Sequence, residues 1–389
     1  MGYARFEVFM ASVQGQCDSA FEGVREVFEE SFADGQNLGA AVAVFADGRP
    51  VVDLWGGVAD RKTGREWAWD TPCVVFSCTK AVTAASALLL AERGYVTLDD
   101  PVARWWPEFA RNGKADITVE HVLTHQAGLP AFDGPVSVAQ AADPVAMAER
   151  LAGQAPEWEP GTAHGYHALT FGWLVGELVR RHTGMTVGQF ARQEFGSDLW
   201  IGAPPGTIAR AARITVPRRG EPASPLTDIA TQTRIGAAYA QAGSLLFRAT
   251  TNPAASYNDP TLLGGGWPAA GMVTTARALA GFYRDLVHGV TLCGATLQNA
   301  LDERARGRDR VLLTDSAYGL GFMLPAQSFE LPEVARATAF GHPGAGGAVG
   351  LGDLAHGLAF AFVPNLKRDY FAGDRRACRL IEAAYAAIG

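Results

Sequence analysis

Lysine is scarce in this chain. Of 389 residues only Lys62, Lys80, Lys114 and Lys367 are lysine, and arginine supplies the rest of the 33 positive charges. Abundant Ala, Gly and Arg point to codon bias as the general cause, yet the scarcity makes every lysine worth examining. Against 40 Asp and Glu the formal net charge is -7, which excludes the basic surface that nucleic-acid binding requires. Cysteine is sparse too. Cys17, Cys73, Cys78, Cys293 and Cys378 are odd in number, scattered, and never in a CxxC or Cys/His ligand spacing. No disulfide framework is expected, and a reducing compartment fits. No apolar run reaches membrane-spanning length. The opening MGYARFEVFMASVQ lacks a basic stretch followed by a long apolar core, and Phe6 breaks the myristoylation pattern, so the expected location is cytoplasmic. What is present is core material: 48% hydrophobic and only 19% charged residues exclude disorder and coiled coil.

The two ends of the chain share a grammar. Residues 18–34 place Phe21, Val24, Val27, Phe28 and Phe32 at helical spacing, and GAAVAVFADGRPVVDLWGG reads as two strands about an Asp-Gly turn. At the far end YGLGFML, AFGH, GAVGLG and GLAFAFVPN are short strand segments, followed by a helix over 372–388. Joined, they predict an α+β fold with one antiparallel sheet of five-stranded type flanked by terminal helices. Helices are predicted between them over 79–93, 118–125, 143–152, 168–183, 186–196 and 275–289. The predicted division is a split sheet domain of residues 1–76 and 310–389 and a mostly helical domain of 77–309. Within the latter, 201–268 is rich in Pro, Gly, Ala and Thr and reads as an irregular lid or pocket wall.

No serine stands in GxSxG, which disfavours the nucleophile elbow of α/β-hydrolases. Ser-x-x-Lys occurs instead at Ser77-Cys78-Thr79-Lys80, between an apolar strand and a helix. Residues three apart on a helix share a face, so the Lys80 amine can meet the Ser77 hydroxyl while the helix N-terminus supports a developing oxyanion. An ammonium cannot take a proton, but burial lowers a lysine pKa and frees the amine. Tyr166, in EPGTAHGYHALTFGWLVGEL, stands before an apolar helix, where a neighbouring ammonium would favour the phenolate and make it a base. FGHPGAGG at 340–347 can bring backbone N–H groups to a substrate carbonyl, but its glycine spacing fails as a dinucleotide motif. His121 and His125 are four apart without a third ligand, so no metal is expected. Cys78 points about a hundred degrees away from the Ser77–Lys80 face and reads as a wall residue. Trp105, Trp106, Trp158 and Trp267 are core aromatics or pocket lining.

Taken in order, SCTK at 77–80, ITVEHVLTHQAGLP at 117–130, PGTAHGYHALTFGWLVGEL at 160–178 and FGHPGAGG at 340–347 resemble the serine β-lactamase-like superfamily. In detail the chain is similar to family VIII carboxylesterases, the esterase branch near class C β-lactamases and D,D-peptidases. The resemblance implies Ser77 as acylated nucleophile, Lys80 as its partner base, and Tyr166 as proton shuttle. It also implies the backbone N–H groups of Ser77 and Ala345 as oxyanion hole, and His342 and Gly344 in place of the Lys-Thr-Gly strand motif. His342, Gly344, Trp158, His167 and Trp267 are the expected substrate contacts.

Two departures stand out. His167 and Ala168 follow Tyr166, so the asparagine of Tyr-x-Asn is absent, and His342 replaces a permanently charged lysine. Both weaken recognition of carboxylated amides. The expected function is therefore a cytoplasmic serine carboxylesterase acting on short-chain esters, a small-molecule enzyme without metal or organic cofactor and without nucleic-acid or membrane partner. The alternatives are an amide-directed member (β-lactamase, D-aminopeptidase or D,D-peptidase), an acyltransferase, and a non-catalytic acyl-ligand binder. Oligomeric state is left open, a homodimer included.

Overall fold

Strand Gly39–Ala46 shows how the fold is built. Ala41, Ala43 and Phe45 point into one hydrophobic core and Ala40, Val42, Val44 and Ala46 into a second on the opposite face, as the period of two requires. Strand Leu358–Pro364 divides in the same way, with Ala359, Ala361 and Val363 on one side and Leu358, Phe360 and Phe362 on the other. A sheet that is apolar on both faces must be covered on both. The computed structural model describes residues 12–217, 229–368 and 374–389 and shows that arrangement. The opening residues 1–11, residues 218–228 of the expected lid segment, and the first two residues of the helix expected over 372–388 lie outside the described residues.

The sheet runs in the order Gln14–Cys17, Arg49–Asp60, Gly39–Ala46, Leu358–Pro364, Val349–Asp353, Ala339–Pro343, with Arg65–Glu66 added to Arg49–Asp60; all neighbours are antiparallel. Five of the six expected strand segments lie in it, Ala339–Pro343 at its far edge; YGLGFML is corrected, since Tyr318 closes a separate pair, Ala305–Arg308 with Asp315–Tyr318, and Met323 makes only single bridges to Tyr318 and Gly341. Gln14–Cys17 escaped sequence reading because Gln14 and Gln16 are polar and exposed, as befits an edge. The hairpin turns on Asp47 and Gly48, both at positive φ, as the two-residue turn demands. Helices Glu22–Ala33 and Arg375–Ala386 cover one face, burying Phe21, Val24, Phe28, Leu380, Ile381 and Tyr385. On the other, helix Ala276–Val287 lays Leu279, Tyr283 and Leu286 against the sheet.

Between the sheet's two halves the chain is mainly helical. Helix Thr79–Glu92 is buried all round over Thr79–Leu90 and packs on Thr170–Thr183 and Val187–Phe195. The segment 201–268 is more regular than its composition suggests: Pro205–Arg210, Ile229–Tyr239, Leu245–Thr251 and Pro260–Gly265 are helices. Side-chain caps start two of these, Ser244 accepting from the Phe247 N–H and Asp259 from the Thr261 N–H, which offsets weak apolar periodicity.

Candidate active site

The chain passes from strand Cys73–Val74 to helix Thr79–Glu92 through Phe76, whose φ of 50° is left-handed for a bulky residue. Such a conformation costs about 1–3 kcal/mol and persists only where the surroundings fix it. Here they do: Thr79 Oγ1 donates to Phe76 O at 2.5 Å and accepts from the Met272 N–H at 3.0 Å, and Thr83 Oγ1 donates to Pro268 O. The turn sets Ser77 at the wall of a cleft of about 410 Å³.

Lys80 lies directly behind it, fully buried. Its Nζ is 3.2 Å from Ser77 Oγ, 2.7 Å from Ala168 O and 3.0 Å from Ala269 O. Burial holds its pKa well below the ordinary lysine range, opposed only weakly by Cys78. A neutral amine has two N–H bonds and one lone pair. With the N–H groups given to the two carbonyls, the lone pair faces the Ser77 hydroxyl.

Tyr166 completes the group, its ring 4.6 Å from Lys80 Nζ and its hydroxyl 3.5 Å from His342 Nε2. The expectation of a phenolate is corrected. Burial pushes its pKa up, more than the Ser77 hydroxyl beside it pulls it down, and the lysine nitrogen stands over the ring face. Tyr166 is a phenol, a proton donor in its resting state. His342 is neutral as well, held at about 3 by burial and then by Lys80. Its Nδ1–H donates to Pro343 O at 2.7 Å, which leaves Nε2 to accept from Tyr166.

The loop after His342 lines the cleft with Gly344, Ala345, Gly346 and Gly347. Among the described residues the backbone N–H groups of Ser77 and Ala345 donate to no protein acceptor. That is the requirement for a pair that binds a substrate oxyanion.

Three expected substrate contacts are corrected. His167 is fully buried: Nδ1–H donates to Gly165 O at 2.7 Å and Nε2 accepts from the Leu129 N–H at 2.9 Å, so the ring staples two backbone segments. Trp158 packs edge-on to His167 and under the Arg310 guanidinium, and Trp267 packs against Trp173; neither lines the cleft. Phe76, Leu169, Tyr239, Tyr257, Met323 and Phe329 supply its apolar wall instead, two of them from the 201–268 segment. Cys78 donates to His342 O at 3.2 Å and is buried, its thiol pushed up to about 12 by desolvation, so it is no competing nucleophile. The His121 ring closes a helix cap at Thr118, while His125 Nδ1 accepts from the His167 N–H, so the two do not share a ligand site. No metal-holding cluster of His, Cys, Asp or Glu occurs among the described residues.

Sequence reasoning missed Asp309. Fully buried, it accepts from the backbone N–H of Tyr166, Val311 and Leu312 and from the hydroxyls of Ser316 and Tyr318. It therefore fixes the backbone that carries Tyr166. The Gly-Arg-Asp-Arg context gives no periodic or motif signal for this role.

A buried Ser–Lys pair with a phenol beside it and two free N–H groups at a cleft is the apparatus of a serine hydrolase. Comparison with known proteins agrees. A beta-lactamase family model matches residues 24–384. The chain is 36% identical over 372 residues to the esterase/beta-lactamase LipL of Mycobacterium tuberculosis, covering 91% of this chain and 83% of that protein. Among solved structures it is similar to a family VIII carboxylesterase, at 32% identity and a TM-score of 0.86 over 97% of this chain and 100% of the other. A penicillin-binding protein homologue from Caulobacter crescentus gives 38% identity and a TM-score of 0.85 over the same shares. With the match running from the first helix to the last, the chain belongs to the beta-lactamase family of serine hydrolases.

Proposed function

We propose that this protein is a carboxylesterase that hydrolyses neutral, short-chain carboxylic esters through an acyl-enzyme on Ser77. The observation that carries the proposal is the setting of Lys80: buried, its Nζ 3.2 Å from Ser77 Oγ and 2.7 and 3.0 Å from two backbone carbonyls, with burial holding its pKa well below the ordinary lysine range. As the Ser77 oxygen bonds to the ester carbonyl carbon, its proton passes to Lys80 Nζ. The carbonyl oxygen becomes an oxyanion between the Ser77 and Ala345 N–H groups, each such donor contributing about 3–4 kcal/mol to the transition state. The C–O bond to the alcohol then breaks. The departing oxygen takes the Tyr166 phenol proton, and the Lys80 ammonium restores it. In the second half a water gives its proton to Lys80 as it attacks the acyl carbon, and Ser77 leaves with that proton.

Preference for esters over carboxylated amides is supported by what faces the reacting atoms. His342 is neutral and its Nδ1–H is committed to Pro343 O, so the strand position beside Tyr166 offers a substrate carboxylate no cation. No asparagine follows Tyr166, since His167 and Ala168 take those places and His167 points inward. The esterase names of LipL and of the family VIII structure support the same reading. A cytoplasmic location belongs to the proposal and is supported by five free cysteines. Among the described residues no helix is long and apolar enough to cross a membrane.

The test is hydrolysis of p-nitrophenyl butyrate and of nitrocefin by the wild type and Ser77→Ala. Ester hydrolysis that vanishes in the variant, with nitrocefin turned over slowly or not at all, is the expected result. Nitrocefin hydrolysis exceeding that of the ester would make the protein a β-lactamase, and an active Ser77→Ala would remove the mechanism.

A further inference from the structure

The Ala345 N–H cannot hold its direction alone, because it sits in a glycine-rich loop. What holds it can be followed bond by bond. Ala345 N belongs to the same planar peptide as Gly344 O, so fixing the carbonyl fixes the N–H, which points the opposite way. Gly344 O accepts from the Gly347 N–H at 3.2 Å. Gly347 N in turn shares its peptide with Gly346 O. That oxygen accepts from Arg376 Nη2 at 2.9 Å, and from the Arg368 N–H at 3.3 Å.

Arg376 is on the C-terminal helix, buried, and absent from the cleft wall. Its guanidinium is held on every side. Nε and Nη2 grip Asp374 at 2.9 and 2.6 Å, while Nη1 donates to Gln36 O, Asn37 Oδ1 and Leu366 O at 3.0–3.1 Å. A fork with this many fixed donors is a rigid abutment, and lysine could not reproduce it. Gly347 shows how closely the loop rests on it. At φ 106° a side chain there would be strained, and a Cβ would run into Asp374 and Arg376.

We infer that Arg376 is the positioning residue of the oxyanion hole, acting through the Gly346–Gly347 and Gly344–Ala345 peptides in series. Two aligned peptides between a guanidinium and the oxyanion do more than set direction. Each hydrogen bond in such a chain polarises the next, so the charged end strengthens the Ala345 N–H as a donor. Asp374 keeps the guanidinium in register and partly balances its charge, which leaves direction as the larger effect. The C-terminal helix, 299 residues after Ser77 in sequence when measured to Arg376, is thereby part of the machinery that stabilises the transition state on Ser77.

This inference rests on the esterase reading and is tested separately from it. The probes are p-nitrophenyl butyrate and its thiono analogue, in which C=S replaces C=O. Sulfur is a larger and weaker acceptor, so the thiono ester gains little from an oxyanion hole. In Arg376→Lys the oxo ester should lose about ten- to a hundredfold in kcat with KM nearly unchanged, and the thiono ester far less. The oxo/thio ratio of kcat/KM should therefore fall. Because a ratio does not depend on the fraction of folded enzyme, a destabilised variant still reports. Gly347→Ala, whose Cβ meets Asp374 and Arg376 and so forces loop and guanidinium apart with the arginine retained, should lower the ratio in the same way. Equal losses for the two esters in both variants, or no loss in either, would overturn the inference. A wild type without ester hydrolysis would overturn the esterase reading instead.

Discussion

Lys80 Nζ stands 3.2 Å from Ser77 Oγ while two backbone carbonyls, Ala168 O and Ala269 O, take its other contacts. This geometry asks for a group that can lose a proton, and guanidinium cannot. Lys80→Arg should therefore lower kcat/KM for p-nitrophenyl butyrate by about a thousandfold or more, the scale of a lost general base. Thermal unfolding separates this from loss of fold, and an active arginine variant would mean that the lysine contributes charge alone.

Tyr166 as a neutral phenol makes a prediction about leaving groups. An alkyl alkoxide needs a proton as it departs, whereas p-nitrophenolate hardly does. Tyr166→Phe should cost about a hundredfold on ethyl butyrate and about tenfold or less on p-nitrophenyl butyrate. Equal losses on both esters would return Tyr166 to the part of acylation base.

Asp309, fully buried, gathers five hydrogen bonds, one of them from the Tyr166 N–H. Asn in its place keeps the shape but turns one acceptor into a donor facing hydroxyls. Asp309→Asn should lose about 1–3 kcal/mol of stability in urea unfolding. It should also lower kcat more than KM, since the displaced group is Tyr166 and not the cleft wall. Unchanged stability would show that the hydroxyls rotate to accommodate the amide.

His342 occupies the strand position that faces the reacting atoms, and burial, then Lys80, holds its pKa down at about 3, so the ring is neutral near pH 7. His342→Lys would install a cation there. The expected outcome is a KM for nitrocefin lowered about tenfold, with ester kcat/KM falling, as a charged hydrogen bond to the substrate carboxylate is gained. A KM that stays put would place the source of ester preference elsewhere in the cleft.

Ser77, Lys80 and Tyr166 could be picked out in the sequence because chemistry restricts residue type there, and spacing on a helix brings two of them together. The fold was legible for a related reason: apolar strand runs at both chain ends, each beside an amphipathic helix, point to one sheet covered by the terminal helices. What could not be read is what the backbone supplies. Ala168 O and Ala269 O have no residue signature, and they arrive from segments 88 and 189 residues from Lys80. Asp309 acts on Tyr166 across 143 residues and Arg376 on Gly346 across 30, with no local pattern to announce either. Trp158 and Trp267 misled because a large aromatic marks a core as readily as a pocket, and His167 because adjacency to Tyr166 says nothing about which way a ring turns. The helices within 201–268 were hidden by Pro and Gly that serve as their first residues and caps.

The central claim, that a neutral Lys80 activates Ser77, is tested most directly by the rate at which an ester-mimicking phosphonate labels Ser77 as pH is varied, in the wild type and in Lys80→Arg. With the Lys80 pKa depressed by burial, the amine is freed of its proton at a pH well below that of an exposed lysine. The labelling rate should rise with pH through a single ionisation well below the ordinary lysine value of about 10.4 and then level off, with mass mapping placing the adduct on Ser77. The arginine variant should be slow at every pH. A wild-type rate still climbing near pH 10, or an arginine variant that labels at the wild-type rate, would contradict the account.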